Sequence, residues 1–241
     1  MDESILIERD GAVAEIVLNR PERRNALTEP MRIALNQAVR SVSADDSVSV
    51  IVLRGAGGAF CSGIDLKALN ESGPDPAARQ AWADLQVALY ESEKIIIGAL
   101  ERFAINAGGP LVFGCDHLIV GENAFLQIGE IQQGVSPAMN LAWLLLKHGD
   151  ALARRITLRG DRIDAASLLR MGIASEVVAD DQVVARARAW AQELAAYPAA
   201  AAAGIKRTIR GLNRVEDPQA WFDKAMSLFP FAPVAGTPRV R

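Results

Sequence analysis

The stretch 94–137 holds residues whose types and order could stabilise a negative charge. Ile95 to Leu100 form a continuous apolar run, typical of a strand covered on both faces. The turn Asn106-Ala107-Gly108-Gly109-Pro110 follows, and Pro110 suits the first turn of a helix. Backbone N–H groups at a helix start, with their partial positive charge, suit a developing oxyanion. An ordinary strand-to-helix turn stays open as the alternative.

Glu130 is the carboxylate in this stretch that is best placed to act as a base. It follows the apolar run Ala124 to Ile128. That run should shield the carboxylate from water and bring its pKa nearer the working range. Spacing alone leaves open the alternative that Glu130 is an ordinary surface-loop residue.

Composition excludes several classes of protein. The chain has 241 residues, half of them hydrophobic, and a net charge of −3. No apolar run approaches the roughly 18 residues of a membrane span, and the start MDESILIERD lacks the basic and apolar regions of a signal peptide. The negative net charge argues against a surface that binds nucleic acid. We therefore expect a cytoplasmic protein with neither membrane nor nucleic acid as a partner.

Cysteine and histidine usage excludes metal and disulfide chemistry. Cys61 and Cys115 form neither a disulfide framework nor a CxxC pair, and His117 and His148 are the only histidines. We expect no metal site.

Periodicity predicts an α/β protein whose C-terminal part is helical. A strand over 12–18, a helix capped by Thr28 and a buried strand over 48–53 open the chain. A loop over 70–77 should precede a helix carrying Trp82, Leu85 and Leu89. Later helices are predicted over 140–148, 164–171 and 180–194, and from Pro198 and Pro218. We expect the tail over 230–241 to be extended or disordered.

The glycine-rich turn 55–66 does not fit a nucleotide-binding loop. A dinucleotide fingerprint would need glycine where Phe60 stands. The P-loop spacing from Gly58 to Gly63 is followed by Ile64-Asp65, with no lysine to reach a phosphate.

Taken in order, the motifs resemble those of the crotonase (enoyl-CoA hydratase/isomerase) superfamily nearly end to end. The motifs are Asn19-Arg20-Pro21 with Asn25-Ala26-Leu27, the turn 58–66, the segment from Phe103 to Cys115-Asp116, Glu130 with Gly134 and Pro137, and Leu158-Arg159-Gly160 with Ala165-Ala166 and Gly172. The resemblance implies a spiral of ββα units with a helical C-terminal domain. The helix signals of the sequence place the division near residue 190, between a core over 1–190 and a helical domain over 191–241, with Tyr197-Pro198 as the hinge. The resemblance also implies a homotrimer or a dimer of trimers.

The resemblance further implies an acyl-CoA substrate, with coenzyme A as part of the substrate and no separate cofactor. Backbone N–H groups of Ser62 and Ala107 would hold the thioester oxygen, and Glu130 would be the single acid/base. Residues matching the substrate- and CoA-binding positions are Arg24, Ala26, Leu27, Cys61, Ile64, Asp65, Leu66, Gly108, Pro110 and Lys206. Asp65 is also interpreted as an acceptor for turn N–H groups rather than as an acid.

Pro110 departs from the pattern of the family's hydratases, which carry a second glutamate there. One carboxylate cannot easily serve as both base and acid towards water, so we expect double-bond isomerisation ahead of hydration. A hydratase, a decarboxylase or retro-addition lyase, and a catalytically silent acyl-CoA-binding subunit remain the alternatives.

Several other residues each allow two interpretations of their role. Arg102, with Glu101 in place of the usual Asn-Gly, could pair with Glu101 or reach an acidic group on the acyl chain. Gln132 and Gln133 could be loop groups or contacts to the acyl group. The basic residues Lys206, Arg207 and Arg210 could form a solvated face or meet the phosphates of CoA. If Ser62 were the nucleophile of a hydrolase, it would need a histidine as its base, and neither histidine forms a recognisable elbow motif.

Overall fold

The structure is a computed structural model that describes residues 4–72, 75–213 and 215–228. Its strands are β1 (Ile5–Asp10), β2 (Val13–Leu18), β3 (Val50–Gly55), β4 (Ile95–Leu100), β5 (Phe103–Ile105), β6 (His117–Gly121), β7 (Phe125–Gln127), β8 (Arg162–Asp164) and β9 (Glu176–Val178). Its helices are α1 (Glu29–Ser43), α2 (Leu66–Ser72), α3 (Pro76–Glu91), α4 (Gly108–Gly114), α5 (Ala138–Lys147), α6 (Asp150–Thr157), α7 (Ala165–Arg170), α8 (Val183–Ala195), α9 (Ala199–Leu212) and α10 (Pro218–Leu228).

Two sheets divide the strands. The larger sheet has the order β1-β2-β3-β4-β6-β9, and all its pairs are parallel except β1 with β2. The smaller has the order β5-β7-β8, with β5 parallel to β7. Consecutive strands therefore enter different sheets: β4 and β6 lie in the first, and β5 and β7 in the second. This is the ββα spiral predicted from the resemblance.

The larger sheet is covered on both faces, and its central strands β3 and β4 are apolar except for Arg54 near the end of β3. Ile51 and Leu53 face one core, which they share with residues of α1 and α3, while Val50 and Val52 face another. The second core is covered by α8 through residues such as Ala187. The sequence of a strand that is covered on both faces is a continuous apolar run, which explains why β3 and β4 were predicted correctly.

The predicted domain division at residue 190 falls inside α8. Ala187 and Ala191, on either side of that point, are both fully buried in the core that contains Val50 and Ile97. A helix that packs continuously on the sheet cannot be split between two domains, so the boundary at 190 is wrong. The hinge at Tyr197-Pro198 lies between α8 and α9 and stays a prediction.

Two other expectations need correction. The predicted loop over 70–77 is helical at its start, since α2 continues to Ser72, and α3 begins at Pro76. Asp75 caps α3 by accepting a hydrogen bond from the Ala77 N–H group at 2.8 Å. Strand β1, which pairs antiparallel with β2, was not predicted. The predicted tail over 230–241 lies outside the described residues.

Within the described ranges, no helix combines the length and the apolar composition that crossing a membrane would require.

Candidate active site

The turn that leads into α4 is tied to the loop that carries Glu130. Asn106 has a left-handed backbone, with φ of 49°. Its N–H group donates to the carbonyl oxygen of Gln127 at 2.8 Å, and its side-chain Oδ1 accepts from the Gly129 N–H group at 2.8 Å. Asn106 therefore sets the position of the turn relative to the segment that precedes Glu130.

Ala107, at the start of α4, supplies a free backbone donor. Its N–H group makes no hydrogen bond to any described residue, as expected for a residue that precedes the first helical turn. The following residues must be small: a Cβ on Gly109 would lie 2.1 Å from Asn140 Oδ1 and 2.5 Å from Ile128 Cδ1. The Ala107 N–H group is therefore free to meet a ligand, as the predicted role requires.

Ser62 does not supply the second donor, contrary to our prediction from the family resemblance. Its N–H group donates to the carbonyl oxygen of Arg24 at 3.1 Å, so it is not available to a ligand. Further along the same two segments, the Leu27 N–H group donates to the Gly63 carbonyl at 2.8 Å, and the Leu27 carbonyl accepts from the Asp65 N–H group at 2.9 Å. Since successive N–H groups of an extended chain point to opposite sides, the Ile64 N–H group faces away from Leu27.

The Ile64 N–H group is the donor that sequence reasoning missed. It makes no hydrogen bond within the described part of the chain. A Cβ on Gly63 would lie 3.8 Å from the amide nitrogen of Ala107, which shows how closely the two donor segments approach. The family motif placed Ile64 only among the substrate-contacting residues, because sequence spacing does not reveal on which side an N–H group points.

Glu130 opens a single helical turn, Glu130–Gln133, after strand β7. Its Oε2 is buried and has no hydrogen-bond partner among the described residues. Burial raises the pKa of this carboxyl to about 7, although a backbone hydrogen bond and one from Asn140 act in the opposite direction. The group can therefore exchange a proton near neutral pH.

Asn140, on the first turn of α5, holds the other oxygen of this carboxyl. Its Nδ2 donates to Glu130 Oε1 at 2.9 Å and to the carbonyl oxygen of Asn106 at 3.1 Å. Asn140 is 2% exposed and its Oδ1 lacks a partner within the described ranges. In the sequence, Asn140 is only the first residue of a predicted helix. The signal was a lone amide in the apolar run Ala138-Met139-Asn140-Leu141-Ala142.

A cavity of about 240 Å³ brings these groups together. Its lining includes Ile64, Ala107, Pro110, Glu130 and Asn140. Two unbonded backbone donors and one carboxyl that titrates near neutrality thus face the same small space. Such an arrangement can bind a carbonyl oxygen and remove a proton from the carbon beside that carbonyl.

A wider groove of about 760 Å³ adjoins the cavity, because Glu29, Ile64, Leu69 and Asp75 line both. Of the predicted CoA-binding residues, Leu27, Ile64 and Asp65 line the groove and Pro110 lines the cavity. Neither the groove nor the cavity is lined by five other predicted CoA-binding residues, which are Arg24, Ala26, Cys61, Leu66 and Gly108.

Asp65 has the structural role that we predicted. It pairs with Arg20 at 3.2 Å and accepts a hydrogen bond from the Ala68 N–H group at 3.1 Å at the start of α2. Although burial raises the pKa of this carboxyl, these hydrogen bonds and the Arg20 charge bring it below its usual value. Asp65 therefore stays charged and fixes the turn.

Lys206 lies away from both spaces. Its Nζ donates at 2.7 Å to Asp116 Oδ2 and at 2.7 Å to the carbonyl oxygen of Lys94. Arg207 pairs with Glu93 at 3.1 Å. In the single chain these side chains therefore fasten α9 to the α3–β4 connection. The prediction that Lys206 meets CoA has no support in these contacts.

Contacts in the structure bear on the two interpretations given above for Arg102 and for Gln132. Arg102 is exposed and lies over the ring of Phe103, with no ion pair to Glu101 among the described residues. Gln132 is exposed and donates to the Gly160 carbonyl at 2.9 Å, as a loop group would.

Among the described residues, Ser62 makes no hydrogen bond to either histidine, so the contacts do not support it as a hydrolase nucleophile. The Ser62 hydroxyl donates to the Arg23 carbonyl at 3.4 Å, while His117 contacts Ser175.

Comparison with known proteins gives a consistent result. The family model described as "Enoyl-CoA hydratase/isomerase" matches residues 8–229. A probable enoyl-CoA hydratase of Mycobacterium tuberculosis is 37% identical over 200 residues, which cover 82% of this chain and 76% of that protein.

Solved structures agree with these matches. An enoyl-CoA hydratase/isomerase from Pseudoalteromonas atlantica has a TM-score of 0.83 at 27% identity, covering 94% of this chain and 90% of that one. A putative enoyl-CoA hydratase from Thermobifida fusca in complex with CoA has a TM-score of 0.79 at 30% identity, covering 93% and 91%.

Proposed function

The chain belongs to the enoyl-CoA hydratase/isomerase family and acts on acyl-CoA, and from this premise we propose that it is an enoyl-CoA isomerase working through a thioester enolate. Glu130 is the base in this proposal. The N–H groups of Ile64 and Ala107 hold the thioester oxygen, with Ile64 replacing Ser62 in that role.

One observation carries the proposal: Glu130 lines the same cavity as Ile64 and Ala107. Among the described residues, Glu130 Oε2 has no partner and the backbone N–H groups of Ile64 and Ala107 make no hydrogen bond. A proton beside a thioester carbonyl is weakly acidic, so its removal needs both a base and stabilisation of the enolate oxygen. By analogy with measured oxyanion holes, each donor contributes about 3–4 kcal/mol. The base must also be ionised at the working pH, and a pKa of about 7 allows this.

Isomerisation needs only one base, which takes a proton from one carbon and returns it to another. Two further carboxylates, Glu29 and Asp75, also line the cavity. Glu29 Oε1 accepts hydrogen bonds from the Asp75 N–H group and from Arg32, and Asp75 caps α3. These contacts support structural roles for the two residues and leave Glu130 as the proton-transfer group.

Hydration is the second candidate, favoured by the names of the relatives. The Mycobacterium tuberculosis protein described above is named a probable enoyl-CoA hydratase. Pro110, which lines the cavity, has no group that could assist a water molecule.

The test is hydrogen exchange at the carbon next to the thioester carbonyl of a saturated acyl-CoA in D₂O. Exchange needs a base and an oxyanion hole but neither water addition nor a double bond. We expect wild-type protein to catalyse it and Glu130→Gln to lose it. Folded wild-type protein that binds the ester without exchange would refute the proposal.

We also propose that the chain assembles as a homotrimer or a dimer of trimers. Apolar side chains on α9 support an interface there, since Ile205, Ile209 and Leu212 are 62, 57 and 81% exposed. Light scattering after size exclusion should give a mass of three or six chains, and a single-chain mass would refute this assembly.

A further inference from the structure

Arg32 is a buried cation in the lining of the reaction cavity. It lies on α1, its side chain is 8% exposed, and it lines the cavity together with Glu130. Among the described residues, its guanidinium makes one hydrogen bond, from Nη2 to Glu29 Oε1 at 3.4 Å. Its Nε is buried and has no partner within the same part of the chain. An unmade hydrogen bond of this kind is costly, because a buried donor loses its water without replacement.

The neighbouring carboxylates are engaged mainly by the start of α3 rather than by Arg32. Glu29 Oε1 accepts the Asp75 N–H group at 2.9 Å, shorter than its contact with Arg32. Asp75 Oδ1 accepts the Ala77 N–H group at 2.8 Å. Carboxylates at a helix start are stabilised by its free N–H groups and partial positive charge. Both carboxylates still attract the charge of Arg32, so what its guanidinium lacks is an acceptor for the Nε–H group.

A second cation lies nearby. Arg79 also lines the cavity and donates from Nη2 to the Met226 carbonyl at 3.3 Å. The lining of the cavity also includes apolar side chains such as Leu69, Trp82 and Met226. The cavity thus combines apolar side chains, suited to methylene groups, with the buried guanidinium of Arg32 and the exposed Arg79, beside the carboxylates Glu29 and Asp75.

We propose that this cavity takes an acyl chain that ends in a carboxylate, and that Arg32 binds that carboxylate. The inference rests on the proposed function, because the thioester end of the chain must lie at Ile64, Ala107 and Glu130. A planar guanidinium with a free Nε–H group matches a carboxylate better than it matches a hydroxyl group. The carboxylate would supply the missing acceptor for the Arg32 Nε–H group.

Binding of saturated esters tests this specificity without requiring turnover. Matched pairs are glutaryl-CoA against pentanoyl-CoA and suberoyl-CoA against octanoyl-CoA, which differ only in a terminal carboxylate or methyl group. In at least one pair, we expect wild-type protein to bind the carboxylate-ended ester about tenfold more tightly or better, the effect of one hydrogen bond to a charged group. Equal or weaker binding of the carboxylate-ended ester in both pairs overturns the inference.

Variants assign the preference to Arg32. Arg32→Met should abolish the difference within the pair while keeping the affinity for the methyl-ended ester. Arg40→Met is the matched control, since Arg40 is an exposed arginine on the same helix outside the cavity, and it should keep the preference. If Arg32→Met does not fold, Arg32→Lys keeps the charge without the Nε–H group and should show a reduced preference. An unchanged preference in either folded Arg32 variant overturns the inference.

Failure of the proposed function gives a different pattern. A wild-type protein that binds none of the four esters, or binds them without hydrogen exchange, contradicts the thioester site itself. A protein that binds and exchanges the methyl-ended esters without preferring the carboxylate-ended ones contradicts only the role of Arg32.

Discussion

The Nδ2 atom of Asn140 lies 2.9 Å from Oε1 of Glu130 and 3.1 Å from the carbonyl oxygen of Asn106. This amide therefore links the base to the turn that carries the Ala107 donor. Because Oε1 is held in this way, the unpartnered Oε2 is the oxygen left to move a proton. In the proposed reaction, Asn140 would position the base rather than transfer a proton.

Replacing Asn140 should change the pH dependence of the reaction. The ionised form of Glu130 is the base, so the rate should rise with pH through the pKa of about 7. The hydrogen bond from Asn140 lowers this pKa, so Asn140→Ala should shift the acidic limb of the kcat/KM profile to higher pH by roughly one unit. The profile is measured by steady-state kinetics between pH 5 and 9.

Asn123→Ala serves as the matched control for that shift. Asn123 is exposed, and its Nδ2 donates to Asp180 at 2.9 Å, away from the cavity. We expect its profile to overlay that of the wild type. A folded Asn140→Ala protein with an unmoved acidic limb would show that Asn140 does not control the ionisation of Glu130.

Glu130→Gln should remove nearly all proton transfer. The amide keeps the shape of the side chain but cannot act as a base, so turnover should fall by two or more orders of magnitude, within the range of about 10²–10⁴ for general-base catalysis. The dissociation constant of a saturated acyl-CoA, measured by calorimetry, should change little. A variant that keeps more than about a tenth of the wild-type rate would show that Glu130 is not the base.

The same substitution should alter stability in a pH-dependent way. The pKa of Glu130 is about 7 in the folded protein, above the ordinary value of 4.5. The contribution of the protonated carboxyl to the free energy of unfolding is therefore fully present below pH 4.5 and is lost as pH rises through 7. The loss amounts to roughly 3 kcal/mol at most. The free energy of unfolding, measured with urea, should therefore be higher for Glu130→Gln than for wild type, and the difference should be larger at pH 8 than at pH 4.5. An equal difference at both pH values would contradict the raised pKa.

The fold was largely predictable because its strands are buried on both faces and its helices carry clear caps. Thr28, for example, accepts a hydrogen bond from the Met31 N–H group at the start of α1. Strand β1 was missed because it lies at a sheet edge and its residues 7–10 are exposed, which weakens the apolar signal.

The site was less predictable than the fold. Ala107 could be anticipated because a helix start leaves N–H groups free. Ser62 could not be excluded, because its hydrogen bond to Arg24 joins residues far apart in the chain. The partners of Asn140 are likewise distant or depend on how α5 packs, and no local pattern encodes them.

Removing the Ala107 donor should abolish activity, whereas trimming its side chain should not. Ala107 has φ of −65°, the angle that proline prefers, so Ala107→Pro deletes the N–H group without changing that angle. The loss of one oxyanion donor should lower kcat by about 10²–10³. Ala107→Gly, which keeps the N–H group, is the control and should be mild. Normal activity in an Ala107→Pro protein with a native circular dichroism spectrum would place the oxyanion hole elsewhere.

The ratio of isomerisation to hydration should follow from the number of carboxyl groups available for proton transfer. Glu130 can take a proton from the α carbon of a 3-enoyl thioester and return it at the γ carbon, whereas hydration also needs water to be held and deprotonated. Pro110 in the cavity lining offers no such group. We expect isomerase activity on a 3-enoyl-CoA and hydratase activity on a 2-enoyl-CoA at least about a hundredfold lower, both followed by absorbance of the conjugated thioester. Pro110→Glu should raise hydration if the start of α4 tolerates the change. Equal rates in the wild type would mean that a second group transfers protons, and Glu29 and Asp75, which also line the cavity, would be the residues to replace next.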